Sequence, residues 1–190
     1  MSRLKICLDK IDTENKKDPN HEVTNGLDEP KEYIYSIRMT EWLNKLVDNP
    51  NELLQIAARG QHIARWTSPR ENYPMGKAGY LKWRTELYKF HAGKVAQIME
   101  ESGYLYDEIE KVKKILQKKE LKSDEDVQAI EDVACLVFLN YYLEDMVIKT
   151  SEEKIVSILQ KTWNKMSEKA KALAKEISYS EECRMLIEKI

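Results

Sequence analysis

Glycine and proline are scarce in this chain, and residues 104–190 contain neither. Six glycines and five prolines in 190 residues is about half the usual share. Those two residue types make most turns and hairpins. Their scarcity argues against an all-β sandwich or barrel, a Rossmann sheet with a Gly-rich loop, and collagen-like or Gly/Ser-linker architectures. No stretch approaches the ~18 consecutive apolar residues of a membrane span, and the N-terminal twenty residues lack the apolar run of a signal peptide. Cys7, Cys135 and Cys183 are odd in number, far apart and in no metal or redox spacing. They read as reduced thiols of a cytoplasmic protein. A net charge of −2 excludes both a nucleic-acid sponge and an acidic solvating tail. What remains is an all-α chain.

What is present fits one compact multi-helix domain over 1–190. Hydrophobic residues are 42% of the chain, with four Trp and ten Tyr, enough for a single core. Leu4, Cys7, Leu8 and Ile11 have helical spacing, and the polar stretch 21–30, with its Asn-Gly signal, reads as a linker loop. Residues 1–29 are therefore expected to be a short helix plus linker, 30–175 the core, and 176–190 a short terminal helix. Pro30 suits a first helical turn, followed by the stripe Tyr35, Met39, Trp42, Leu43 and Leu46. A second core helix is expected over 51–66, an irregular loop over 67–79, and a strong helix over 80–101 stopped by Gly103. The segment 133–143 is apolar almost all round, so a helix from Ser123 to Asp145 should be the buried central one. Thr150-Ser-Glu-Glu fits a capping box for the next.

Charge is unevenly spread. Between Arg59 and Lys94 eight basic residues face only Glu71 and Glu86, so this segment carries +6 against −8 for the rest. Lys82, Lys89 and Lys94 are accounted for by the solvated side of an amphipathic helix. Arg59, Arg65, Arg70, Lys77 and Arg84 border the 67–79 loop among Trp66, Tyr73, Tyr80 and Trp83. They are candidates for binding phosphate or carboxylate. His21 falls in the linker, whereas His62 and His91 fall late in one helix and on the apolar face of another. Glu131 and Asp132 enter the most buried helix, where a bare charge is costly. Neighbouring helical residues point about 100° apart, so one should face the site while the other supports it. His62, His91 and Asp132 form a candidate divalent-metal set, with Glu131 the candidate general base. The alternative is an Arg–carboxylate pair with Arg38 or Arg59.

The stretches YSIRMTEWL (35–43), AARGQHIARW (57–66), YPMGKAGYLKWR (73–84), FHAGKVAQI (90–98) and EDVACLVFL (131–139) resemble a family of uncharacterised proteins. That family is defined only as a conserved domain of unknown function. Some members carry a glutamyl-tRNA synthetase-like label, but no HIGH- or KMSKS-type signature is present here. The order of these motifs is also similar to the HD-type metal-dependent phosphohydrolases, in which His and Asp residues hold one or two metals. In that resemblance only His91 and Asp132 match in type. Tyr35 stands where a first His is expected, and Gln61-His62 where His-Asp is expected.

Three functions are consistent with these residues. The first is an HD-like hydrolase of a phosphorylated small molecule or nucleotide, its metal held by His62, His91 and Asp132. Arg65, Arg70, Lys77 and Arg84 would clamp the phosphate, and loop 67–79 would close over it. The second is a metal-free binding module that holds a nucleotide or RNA end on Arg59, Arg65, Arg70, Trp83 and Arg84. The third is an HD-like iron oxygenase.

Overall fold

The computed structural model describes all residues, Met1–Ile190. Ten α-helices surround a single apolar core, with one small hairpin at the side. The first helix, α1 (Arg3–Asn15), is capped by Ser2 and sends Cys7 and Ile11 into that core. The N-terminal segment is thus an integral layer of the fold. The expected linker 21–30 is instead a β-hairpin, β1 (His21–Thr24) and β2 (Leu27–Pro30). Asn25 and Gly26 both take positive φ, 52° and 78°, which suits the two-residue turn whose twist matches paired strands. A polar composition had concealed the pairing.

The next helix, α2 (Lys31–Leu46), starts after Pro30, whose side chain caps nothing. Asp18 supplies the cap from a distance: its carboxylate accepts the Glu32 N–H at 3.0 Å and the Asn20 N–H at 2.9 Å. Helix α3 (Glu52–Gly60) is shorter than its apolar pattern suggests. Gly60 lies against Val95, where a Cβ would stand 2.4 Å from a methyl. Beyond it the chain turns through Gln61–Ala64, with Ala64 left-handed at φ 52°. The Ala64 N–H donates to Asn15 Oδ1. That turn, outside any helix, carries His62.

Residues 65–76 form two short 3₁₀ turns and a bend, and α4 (Lys77–Glu100) runs from there to Gly103, which is left-handed at φ 85° as a helix stop requires. Helix α5 (Tyr106–Leu116) ends in a Schellman motif, with Lys118 N–H to Ile115 O and Lys119 N–H to Lys114 O. Lys118 occupies the left-handed position of that motif, φ 53°, where glycine is usual. The apolar α6 (Glu125–Tyr141) is central and packs on α2, α3 and α5. The expected continuation to Asp145 breaks at Tyr142, whose φ of −125° is outside the helical range, and α7 (Leu143–Lys149) follows. Three short helices complete the layer: α8 (Glu152–Trp163), α9 (Glu168–Lys175) and α10 (Glu181–Ile187). Ser151 heads α8 without a side-chain cap bond. No helix is long and apolar enough to cross a membrane, and all three cysteines are buried free thiols.

Candidate functional site

A cleft of about 540 Å³ opens between α2, the turn after α3, α4, the α5–α6 connection, α6 and the chain after α8. Helix α2 lends Lys31, Glu32 and Tyr35, and the 61–64 turn and the residue after it lend Gln61, His62 and Arg65. Trp83, Arg84, Tyr88 and His91 come from α4, Lys118 from the connection, Glu131 and Cys135 from α6, and Lys165 from beyond α8. Five cations therefore face two carboxylates, between walls that include Leu87, Phe138 and Met146.

Burial holds both histidines neutral, and His91 is held in a defined tautomer. His91 Nδ1 lies 2.8 Å from the Ile63 carbonyl. A carbonyl can only accept, so Nδ1 carries the hydrogen and Nε2 is a lone pair. Burial, with His62 and Arg65 adding to it, lowers the His91 pKa to about 3. The His62 ring stacks on Tyr35 with centroids 4.0 Å apart and planes within 10°. Its Nδ1 is 3.2 Å from an Arg65 guanidinium nitrogen, which can only donate. Burial, then the charges of Arg65 and Lys118, hold His62 well below the usual imidazole range. Glu32 approaches the same His62 nitrogen at 3.4 Å. Burial raises its carboxyl above the ordinary value, against the opposing charge of Arg65.

Glu131 is ion-paired with Lys118 and lies 3.3 Å from the Lys165 ammonium. Burial alone would raise its pKa, but Lys118, Lys165 and Arg84 hold it down at about 2. Such a carboxylate is a weak base, suited to ordering cations rather than to taking a proton. Cys135 is pushed up to about 12, chiefly by burial, so it is not a nucleophile at neutral pH.

Of the residues singled out by sequence, the cleft collects His62, His91, Arg65, Trp83, Arg84 and Glu131. It does not collect the others. Arg59 is bound to Asp12 at 2.6 Å and to Thr40, where it ties α3 to α1 and α2. Arg70 donates to the Tyr73 and Pro74 carbonyls and so braces its own loop. Lys77 is exposed at the start of α4 and lines no part of the cleft. Asp132 is turned away by the 100° helical step and accepts the Ser167 N–H at 2.8 Å and the Gln128 amide at 2.9 Å.

The metal set His62, His91 and Asp132 is therefore not assembled, and no three His, Cys, Asp or Glu side chains stand together as a metal site. The donor set does not fit a divalent ion, because the carboxylate that would complete it lies on a different face of α6. Cleft residues that the sequence did not mark include Glu32, Gln61, Lys118 and Lys165. Glu32 was legible in principle, three positions before Tyr35 on the same stripe. Gln61, Lys118 and Lys165 were not, since each sits in a turn with no periodic signal.

The fold and cleft define an all-α, single-core protein with a basic, aromatic-walled cavity. The chain belongs to the family described as Domain of unknown function (DUF4202), whose model matches residues 5–187. No curated protein and no solved structure matches it.

Proposed function

We propose that the cleft binds a small phosphorylated anion of nucleotide size, without a metal ion. The observation that carries this reading is the state of the arginines. Arg3, Arg38 and Arg59 are each ion-paired with carboxylates. In the cleft, Arg65 reaches only His62 and the Trp83 ring, 5.3 Å from its centroid, and Arg84 reaches only the Tyr88 hydroxyl and ring. Neither guanidinium has a carboxylate within ion-pair distance, although both are half-buried. A guanidinium presents a planar fork that matches phosphate, and its pull on an anion is stronger away from bulk water.

Lys118 and Lys165 add ammonium donors, which Glu131 gathers without neutralising both. The volume lies within the usual range for small-molecule sites. Calorimetric titration with pyrophosphate and adenosine monophosphate tests the reading. The expected result is binding that weakens between about 50 and about 500 mM salt, is unchanged by EDTA, and falls about tenfold in Arg84→Gln. Absence of binding would overturn it, and binding only when a divalent metal is added would restore the metal-dependent hydrolase in its place.

A further inference from the structure

Three buried polar side-chain atoms have no hydrogen-bond partner, and two of them, Gln61 Oε1 and His91 Nε2, belong to residues lining this cleft. Gln61 is 4% exposed and His91 2%. Both atoms are acceptors. For His91 this follows from the Ile63 carbonyl, which claims the other ring nitrogen as a donor. An unsatisfied buried acceptor costs about 1–3 kcal/mol. Each of these atoms is closed to solvent here, but both belong to residues lining one cavity, so a ligand reaching them through a side-chain rotation would satisfy both. A ligand phosphate would not meet them, since lone pairs would face lone pairs. Arg65 opposes a cationic group at His91, with Glu32 offsetting it in part. A neutral N–H or O–H group suits both. The apolar walls at Leu87 and Phe138 favour a flat ring over a polyol, whose many hydroxyls would go unpaired there.

We infer that the ligand is a nucleoside phosphate whose base presents an amino N–H to Gln61 Oε1 and His91 Nε2 while its phosphate lies among Arg84, Lys118 and Lys165. This rests on the anion-binding reading above and assigns the specificity-determining residues of that same site. Gln61 and His91 thus select the base, and the cations supply affinity shared by any phosphate.

The test is a ligand series on the full chain: pyrophosphate, ribose 5-phosphate, adenosine monophosphate, and purine riboside 5′-phosphate, which lacks the amino group. The expected result is that adenosine monophosphate binds about tenfold more tightly than the amino-free analogue, as one well-placed hydrogen bond allows. In Gln61→Met, which keeps the side-chain volume but removes the acceptor, that ratio should shrink to within about threefold. Melting curves establish that the variant is folded, and the wild-type ratio is informative without any variant. Equal affinity for the two nucleotides, or ribose 5-phosphate binding as well as adenosine monophosphate, would overturn the base assignment and leave the anion pocket standing. Failure of every phosphate, pyrophosphate included, would overturn both.

Discussion

Glu131 and Asp132 are neighbours in the chain and serve different faces of α6. Glu131 pairs with Lys118 inside the cleft, whereas Asp132 receives the Ser167 N–H, 2.8 Å away, at the start of α9. One carboxylate organises a binding surface and the other joins two helices.

Their replacement by amides should separate these roles. In Glu131→Gln the Lys118 ammonium, on a side chain only 11% exposed, loses its counter-charge, and the fold should lose about 2–3 kcal/mol. Asp132→Asn keeps an acceptor oxygen for Ser167 and should cost about 1 kcal/mol. Urea unfolding measures both, and an equal loss would show that the Lys118 pair is not the stronger tie.

Acid should weaken the protein earlier than carboxylate titration alone predicts. His91 titrates near 3 in the fold against an ordinary 6.5, and His62 is shifted the same way. The unfolded chain therefore binds protons first, so stability is full above pH 6.5 and is lost as pH falls toward 3. Glu131, near 2 against an ordinary 4.5, adds a second loss below pH 4.5. Each histidine should contribute a slope approaching about 1.4 kcal/mol per pH unit below pH 6. Unfolding free energies at pH 7.5, 6.0 and 5.0 check this, and His91→Gln should flatten the curve.

Arg59 and Arg84 should respond oppositely to the same substitution. Arg59→Gln breaks the pair with Asp12 across α1 and α3 and should lower the melting temperature by several degrees, for a cost of about 1–2 kcal/mol. Arg84→Gln removes no ion pair and should leave the melting temperature within about 2 °C while it weakens pyrophosphate binding. Scanning calorimetry and titration on both variants would reveal a reversed pattern directly.

Left-handed backbone at Lys118 and Lys122, φ 53° and 76°, costs about 1 kcal/mol at each non-glycine residue. Lys122 is exposed and has no ion-pair partner, so Lys122→Gly should stabilise by a few tenths to about 1 kcal/mol. Lys118→Gly relieves the same strain but leaves the buried Glu131 with Lys165 as its one ion-pair partner, so a net loss is expected. Denaturant midpoints of the two variants should move in opposite directions.

Much of the frame was legible from residue order alone. The rarity of glycine and proline, the apolar run 133–143 and the stripe from Tyr35 to Leu46 specify helices and the buried α6, because burial repeats along a helix with a fixed period. Gly103 marked a helix end, since few residues accept its φ. Some of the basic residues near 59–94, Arg65 and Arg84, line the cleft. Only three of the proposed ligand-binding residues, Arg65, Trp83 and Arg84, line the cleft.

By itself, then, the sequence determined an all-α single domain with a basic, aromatic segment set against an acidic remainder. The tertiary structure alone decided which charges are already satisfied. Arg59 and Arg84 look alike in the chain, yet Asp12 claims the first and no carboxylate claims the second. Periodicity records which face of an element is buried, but an ion pair depends on a partner dozens of residues away. Gln61, Lys118 and Lys165 enter the cleft from turns, where no period exists to announce them.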